Sequence, residues 1–271
     1  MAILNRSRIE YLQWCINWIN GCTSDCAYCY ARQIARRFAR GEERGWVGCE
    51  QRFEDPAAAL ETQLSKMRKL PEGMIMLSTS HDPAMTPKVA GQMARLVFVL
   101  DKFGLLKNTL LLTKHPTKAV DALWDAFYEH EYEHRLRLED LRFGVSLTAD
   151  RVLPYDYERG AEPMWHRFEA LDPEQQYKTW VSLEPPLPEV RLTGLVELVL
   201  DLRQKPWVVL GKMNYRGGAF KELSEWSRSQ HWGEDRDAAV ELLRKAGYAE
   251  SLTPMDGGYW VKRELREWQP K

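Results

Sequence analysis

Residues 20–31 are NGCTSDCAYCYA and contain three of the chain's five cysteines. Cys22, Cys26 and Cys29 follow the spacing C-x3-C-x2-C. Three thiolates this close together can hold one side of an iron–sulfur cube and leave its fourth iron without a protein ligand. An open iron can bind a cofactor or substrate directly, as any open metal site can. The motif therefore predicts a [4Fe–4S] cluster with one reactive iron.

A zinc site is the alternative use of these thiols. Structural zinc usually takes C-x2-C pairs with further ligands about 12–20 residues away. Cys49 lies 20 residues beyond Cys29 and could be a fourth ligand, but no second ligand accompanies it at zinc-finger spacing. The spacing favours the cluster and leaves zinc open.

The composition indicates the setting in which such a site would work. All five cysteines lie in the first fifth of the 271 residues, whereas a disulfide scaffold would spread and pair them. The first residues have no apolar core typical of a signal peptide, and no apolar run is long enough to span a membrane. The net charge of -1 provides no overall basic field for nucleic acid. We expect a cytoplasmic monomer.

Short apolar segments alternate with longer segments of helical spacing along the chain. The predicted strands lie within residues 12–19, 73–80, 108–114, 141–149, 179–186 and 206–214. The predicted helices lie near residues 30–40, 55–69, 86–103, 117–131, 162–176 and 190–203. This order predicts an α/β fold of parallel βα units, either a barrel or an open Rossmann-type sheet. No G-x-G-x-x-G follows the first strand, which argues against dinucleotide binding.

Polar residues cluster where the predicted strands end, the edge that carries the active site in α/β barrels. They are Ser78, Thr79, Ser80, His81, Asp82, Thr113, Lys114, His115, Ser146, Thr148, Glu184, Lys212, Asn214 and Tyr215. We expect residues 1–220 to form the barrel. Residues 221–271, with a helix near 235–246 and a strand around 258–265, are expected to form a C-terminal cap packed on it.

The cysteine motif resembles that of the radical S-adenosylmethionine (SAM) superfamily, C-x3-C-x-aromatic-C, with Tyr28 in the aromatic position. The resemblance implies a partial (β/α)6 barrel of TIM type. It also implies an enzyme whose cluster reductively cleaves SAM to a 5′-deoxyadenosyl radical, which abstracts hydrogen from a substrate. The electron would come from a donor such as flavodoxin or ferredoxin.

A narrower resemblance is to the spore photoproduct lyase-like branch of that superfamily. It rests on the cysteine loop, on Thr79, Ser80 and Asp82 after the second strand, and on Thr113 and Lys114 after the third. The resemblance implies that Ser80 and Lys114 hold the amino and carboxylate ends of SAM and that Ser146 meets its ribose or carboxylate. It places Tyr28 beside the adenine and Tyr30 near the cluster and substrate.

One departure from this branch concerns catalysis. The lyase uses a cysteine on its second strand, but the corresponding position here is near Ser78, which we group with the cofactor-binding residues. The lyase reaction itself is therefore not expected. Cys15 and Cys49 are the spare thiols, and we name both as candidate catalytic residues beside the alternative of inert cysteines.

Three further positions have both a functional and a structural interpretation. Glu184 could accept hydrogen bonds from a ribose or a substrate, or be a structural acceptor. Gly211 would let the adenine approach the backbone closely. Lys114 needs an anionic partner because a bare buried ammonium is costly; besides a SAM carboxylate, Glu184 or Asp82 would serve.

The substrate is not identified by the sequence. Arg32, Arg36, Arg37 and Arg40 share one helical face that could bind phosphates, and Asn214, Tyr215 and Arg216 offer an aromatic ring and a charge. We expect a nucleic acid or a nucleotide-like group rather than a small free metabolite. A peptide-modifying radical enzyme and a non-catalytic iron–sulfur or zinc module that binds nucleic acid are the alternatives, and the arginines could also be a solvated helix face.

Overall fold

The computed structural model describes residues 1–37, 46–129, 137–149, 157–171, 177–187, 190–211 and 232–267. Its strands are β1 (Leu4–Arg6), β2 (Trp14–Ile16), β3 (Ile19–Asn20), β4 (Glu50–Gln51), β5 (Ile75–Leu77), β6 (Thr109–Thr113), β7 (Arg142–Ser146), β8 (Lys178–Leu183), β9 (Trp207–Leu210), β10 (Ala249–Glu250) and β11 (Gly258–Val261). Its helices are α1 (Tyr30–Arg37), α2 (Pro56–Ser65), α3 (Pro87–Lys102), α4 (Pro116–Glu129), α5 (Met164–Glu169), α6 (Leu192–Leu200), α7 (Trp232–Lys245) and α8 (Arg263–Arg266).

Nine strands form one sheet in the order β1-β2-β5-β6-β7-β8-β9-β11-β10. Neighbouring strands are parallel except for β1, which runs antiparallel to β2. All six predicted strands are present, so the prediction of an α/β fold with parallel strands is confirmed. In the described part of the chain β1 and β10 are the two ends of the sheet, as in a barrel that does not close.

The central strands β5 and β9 are wholly apolar and buried, as expected where both faces of a sheet are covered. Ile75 and Leu77 pack into the large core between the sheet and its helices. Met76 and Leu110 point the other way, into a smaller apolar cluster in the interior of the barrel. The alternation follows from the two-residue period of a strand.

Aromatic rings fill the interior near the start of β8 and β9. Tyr11 lies edge-on to Trp207, with ring centroids 5.3 Å apart, and Trp180 lies 5.6 Å from Trp207. Gly144 on β7 faces Trp180, and a side chain at that position would overlap the indole ring. These rings pack together in the smaller apolar cluster inside the sheet.

Proline and capping residues set where the helices begin. Pro87 and Pro116 are the first residues of α3 and α4, as predicted, and Pro163 directly precedes α5. The Asp55 carboxylate accepts a hydrogen bond from the Ala57 amide at 3.0 Å and caps α2. These helices return the chain to the next strand and so bring successive strand ends to one edge.

The C-terminal part continues the same sheet. Tyr259 on β11 pairs in parallel with Val208 on β9, and β10 extends the sheet by one more strand. The predicted helix near 235–246 is α7, and the strand expected around 258–265 is β11. The proposed domain boundary between residues 220 and 221 lies outside the described residues and stays a prediction. In the described part of the chain, no helix is both long and apolar enough to cross a membrane.

Candidate active site

A cavity of about 550 Å³ opens at the carboxyl ends of the strands. Ser78 follows β5, Lys114 follows β6, Ser146 ends β7 and Glu184 follows β8, and all four line this cavity. The three cysteines of residues 20–31 line it as well. The parallel order of the strands brings these distant segments of the chain to one place.

Backbone contacts on both sides hold the cysteine loop in position. The Cys22 amide donates to the Trp46 carbonyl at 3.0 Å, and the Ala27 amide donates to the Tyr157 carbonyl at 2.9 Å. Gly21 has a φ of +97°, in the region that favours glycine, and a side chain there would overlap the Trp46 carbonyl. The loop is thus fixed by tertiary contacts as well as by its own sequence.

The three thiols suit a cluster by the chemistry of their surroundings. Burial raises the pKa of the Cys22 thiol to about 12 and also raises those of Cys26 and Cys29, with Lys114 opposing the rise at Cys26. Backbone N–H groups point at two of the sulfurs, from Asp82 to Cys22 and from Arg32 to Cys29, each at 3.4 Å. Such donors stabilise thiolate once a cluster displaces the protons.

The backbone of Cys49 lies against Gly21, the residue before Cys22, but Cys49 does not share the cavity with the three thiols. Its Sγ lies 3.3 Å from the Val47 carbonyl oxygen, and it does not line the cavity. Among the described residues, no group of three or more His, Cys, Asp and Glu side chains is arranged to hold a single metal ion. This holds for the three loop cysteines as well, so the arrangement does not distinguish a cluster from the zinc alternative.

Glu158 is the centre of a buried network beside the cysteine loop. Its Oε1 lies 3.3 Å from the Lys114 Nζ and accepts from the Thr148 hydroxyl at 3.1 Å, and the Tyr28 hydroxyl donates to it as well. Its Oε2 accepts from the Arg167 Nη2 at 2.6 Å. Burial alone would raise the pKa of Glu158, but Lys114 and Arg167 hold it well below its usual value. The carboxylate is therefore ionised and joins four segments of the site.

The anionic partner of Lys114 is thus Glu158, and neither Glu184 nor Asp82. Asp82 instead accepts from the Lys114 backbone amide at 2.6 Å and from the Thr113 hydroxyl at 2.7 Å. These two bonds fix the turn after β6. They orient the lysine backbone while its side chain reaches the cavity wall.

Asn17 organises the strand end that carries the predicted serines. Its Oδ1 accepts from the Ser78 hydroxyl at 2.7 Å and from the Thr79 and Ser80 amides at 2.9 and 3.2 Å. Its Nδ2 donates to the Cys15 Sγ at 3.4 Å. One side chain directly after β2 therefore fixes both the turn after β5 and the spare thiol.

His81 completes this corner of the cavity. It lies edge-on to Trp18, with centroids 4.3 Å apart, and its Nδ1 is 3.0 Å from the Ser78 hydroxyl oxygen and 3.3 Å from that of Ser80. Burial lowers the pKa of His81 to about 3, and Arg52 adds to the shift. The imidazole is therefore neutral near pH 7 and orients the two serine hydroxyls.

Glu184 has a cationic partner two strands along the sheet. Lys262, which follows β11, donates to Glu184 Oε1 at 2.6 Å and lies 3.2 Å from Glu264. A Cβ at Gly211 would lie 2.7 Å from the Glu184 Cδ, so this glycine makes room for the carboxylate. Gly211 itself does not line the cavity, and its predicted approach to adenine stays a prediction.

Eleven of the thirteen predicted site residues line the cavity, and Cys49 and Gly211 do not. The eleven are Cys15, Cys22, Cys26, Tyr28, Cys29, Tyr30, Ser78, Ser80, Lys114, Ser146 and Glu184. Tyr30 is 40% exposed, and its hydroxyl donates to the Thr79 carbonyl. Asn17, Glu158, Arg167 and Lys262 were not predicted, because none stands in a recognisable motif.

The predicted arginine face is only partly described. Arg32 forms an ion pair with Asp25, and Arg36 is exposed but does not line the cavity. The side chains of Arg37 and Arg40 lie outside the described residues, as do Lys212, Asn214, Tyr215 and Arg216.

No protein-family model and no curated protein sequence matches this chain. Its fold matches solved structures of spore photoproduct lyase. One, complexed with dinucleoside spore photoproduct, matches with a TM-score of 0.56 and 15% identity over 95% of this chain and 78% of that chain. A Cys-to-Ser variant matches with a TM-score of 0.58 and 14% identity, over 96% of this chain and 79% of that chain. A double variant with bound AdoMet and dinucleoside spore photoproduct matches with a TM-score of 0.56 and 12% identity, over 95% of this chain and 78% of that chain. These TM-scores establish a shared fold at low sequence identity. The expected resemblance to this branch is therefore confirmed for the fold.

Proposed function

We propose that this protein is a radical SAM enzyme whose [4Fe–4S] cluster is held by Cys22, Cys26 and Cys29. The observation that carries the proposal is that all three thiols line one cavity together with the polar strand ends. The fold shared with a lyase that has been solved with bound AdoMet supports it.

A cluster of this kind supplies the electron that cleaves SAM to methionine and a 5′-deoxyadenosyl radical, which takes a hydrogen atom from the substrate. The residues of this chain would bind the cluster and SAM and orient them. The three thiolates hold the irons, and the amides of Asp82 and Arg32 donate to two of the sulfurs. Both amides favour the thiolate form of their cysteines.

Lys114 is the residue we assign to the carboxylate of SAM. Glu158 has two cationic partners on different oxygens, Lys114 and Arg167. Arg167 can therefore keep Glu158 paired while Lys114 turns toward a ligand carboxylate. No buried charge is left without a partner in either arrangement.

The remaining cofactor contacts follow the strand ends. We assign Ser80 to the amino group of SAM, Ser146 to its ribose or carboxylate and Tyr28 to its adenine. The hydrogen bond from Tyr28 to Glu158 fixes the ring beside the cysteine loop. Ser78 and His81 hold the Ser80 turn in place.

The substrate is proposed to be a nucleic acid, because lyase structures of the same fold carry a dinucleoside photoproduct. Tyr30 lines the cavity and is the residue that we assign to a position near the cluster and the substrate. Cys15 lines the cavity and Cys49 does not, so Cys15 is the spare thiol that we retain as a catalytic candidate. Flavodoxin or ferredoxin as electron donor, the monomeric state and the cytoplasmic location remain predictions.

The deciding experiment is anaerobic reconstitution with iron and sulfide, followed by reduction with dithionite in the presence of SAM. The protein should absorb in the visible range and release 5′-deoxyadenosine in proportion to its iron content. Cys26→Ala is the matched control and should release none. A protein that binds iron but never cleaves SAM would be the non-catalytic module instead.

A further inference from the structure

A row of polar side chains leads from the cysteine loop to the surface of α4. Ser24 lies between Cys22 and Cys26 in the chain, is buried and lines the cavity. Its Oγ lies 2.9 Å from the His115 Nε2, and the Nδ1 of the same ring lies 3.2 Å from the Lys118 Nζ. The imidazole thus connects a buried hydroxyl of the loop to a lysine whose side chain is 35% exposed.

The surrounding fold holds both His115 and Lys118 in place. The backbone amide of His115 donates to the Thr113 hydroxyl at 2.8 Å, and that hydroxyl donates to the Asp82 carboxylate at 2.7 Å. Lys118 donates to the Glu162 carboxylate at 3.2 Å. The ring and its lysine partner are therefore positioned by contacts that do not depend on the cysteine loop.

The lysine decides which ring nitrogen of His115 carries the proton. An ammonium group has three donors and no acceptor, so Lys118 donates and Nδ1 accepts. Burial is the main cause that lowers the pKa of His115, and the Asp82 carboxylate opposes the shift only in part. The ring is therefore neutral near pH 7, and its one N–H group is Nε2–H. It follows that Nε2 donates to the Ser24 oxygen.

Ser24 can therefore donate its own hydroxyl hydrogen to the cysteine loop. A serine oxygen that accepts one hydrogen bond keeps its single hydrogen for another partner. Cys22 is that partner: burial raises the pKa of this thiol to about 12, and hydrogen bonds from the side chain and the amide of Ser24 oppose the rise. The order of donors thus runs from Lys118 through His115 and Ser24 to a proposed cluster ligand.

We propose that Lys118, His115 and Ser24 form a donor chain that raises the reduction potential of the iron–sulfur cluster through Cys22. Hydrogen bonds to the sulfurs are among the factors that set cluster potentials, because they stabilise the negative charge gained on reduction. The inference rests on the proposed function for the presence of the cluster. His115 and Lys118 act through Ser24 and are positioning residues.

The first test is a redox titration of the reconstituted protein, followed by the electron paramagnetic resonance signal of the reduced cluster. Ser24→Ala removes the last donor and should make the reduced form about tenfold less populated at a given potential, a drop of about 59 mV for one electron. Lys118→Leu should lower the midpoint potential too, because the imidazole can then carry its proton on Nδ1 and accept from Ser24. Lys118→Arg keeps a donor and should stay close to wild type.

Equal midpoint potentials in wild type, Ser24→Ala and Lys118→Leu would overturn the proposal. A drop in Ser24→Ala alone would contradict the part assigned to His115 and Lys118. The position of Lys118 is partly exposed, so Lys118→Leu keeps the test valid if Ser24→Ala does not load its cluster.

The matched control for the lost charge is Lys88→Leu, at the exposed start of α3. It removes one lysine outside the donor chain and should leave the midpoint potential close to that of wild type. If Lys88→Leu lowers the potential as much as Lys118→Leu does, the effect comes from net charge, and the donor chain is contradicted.

The second test determines the tautomer of His115 in the protein without its cluster. Imidazole nitrogen chemical shifts distinguish a ring protonated on Nε2 from one protonated on Nδ1, and His115→Gln identifies the signal. Wild type should show the Nε2–H form, and Lys118→Leu should show a larger share of the Nδ1–H form. An Nδ1–H ring in wild type would overturn the order of donors.

Failure of this inference and failure of the proposed function give different results. Wild type and Ser24→Ala with the same potential, in a protein that cleaves SAM, would overturn the donor chain alone. Potentials that shift as expected in a protein that cleaves no SAM would support the donor chain and contradict the radical chemistry. Zinc in place of iron would contradict both.

Discussion

Lys114 and Glu158 form a buried ion pair, with Nζ 3.3 Å from Oε1 and both side chains no more than 12% exposed. Arg167 contacts the other carboxylate oxygen at 2.6 Å. The pair connects the turn after β6 to the segment that lies against the cysteine loop, where Cys26 and Glu158 form a backbone bridge. The proposed cofactor lysine is thus positioned by the same residue that supports the proposed cluster loop.

Glu158→Gln should be strongly destabilising. The change leaves two buried cations without their anion, and breaking such a buried pair typically costs about 3–5 kcal/mol. Urea denaturation should show this loss in the free energy of unfolding. Glu169→Gln on the exposed side of α5 is the matched control and should stay within about 0.5 kcal/mol of wild type. A Glu158→Gln protein as stable as wild type would show that the network contributes little.

Lys114→Met should weaken SAM binding without removing the cluster. Loss of a hydrogen bond to a charged group costs about 1.5–3 kcal/mol, which corresponds to roughly a ten- to hundredfold rise in Kd. The measurement is a SAM titration of cluster-loaded protein. Lys107→Met, an exposed lysine before β6, should leave the affinity unchanged. The same Kd for Lys114→Met and wild type would remove Lys114 from the cofactor site.

The five cysteines should separate into two classes. Cys22→Ala, Cys26→Ala and Cys29→Ala should each lose the iron–sulfur cluster, because each removes one of three thiolates and solvent or another ligand must replace it. Cys15→Ala and Cys49→Ala should keep it. Iron and sulfide content after anaerobic reconstitution is the readout. Full loading of Cys26→Ala, or loss of the cluster from Cys49→Ala, would contradict the ligand assignment.

Gly211→Ala and Gly91→Ala should change stability in opposite directions. A Cβ at Gly211 meets the Glu184 carboxyl at 2.7 Å and must displace the pair with Lys262, at a cost of about 1–3 kcal/mol. A Cβ at Gly91, inside α3, meets no atom within 4 Å, so alanine should stabilise that helix by about 0.5–1 kcal/mol. The melting temperatures of the two variants, compared with wild type, test both predictions. Stabilisation by Gly211→Ala would mean that Glu184 moves away freely.

Features with a local signal were predictable from the sequence. The six central strands are mainly apolar runs, and α2, α3 and α4 begin at proline, so these elements were located before the structure. Strands β1 and β10 were missed because they have only three and two residues and too little pattern to detect. The strand ends that face one edge were predictable because parallel βα units place them there.

Partners that join through tertiary contacts were not predictable. The sequence offered Glu184 or Asp82 as protein partners for Lys114, and the fold supplies Glu158, which also binds Tyr28 from 130 positions away. Asn17 holds the Ser78–Ser80 turn across 61 to 63 positions. Neither residue belongs to a motif, because a hydrogen bond between distant segments requires only one polar side chain at the right place.

The sequence by itself determined the cysteine spacing, the order of strands and helices, and hence the fold class and the edge where the site forms. These depend on interactions between residues close in the chain. The tertiary structure alone decided which charge pairs with Lys114 and which spare thiol reaches the cavity. These depend on how loops pack across the sheet, where many arrangements have similar local energies and only the complete set of buried contacts selects one.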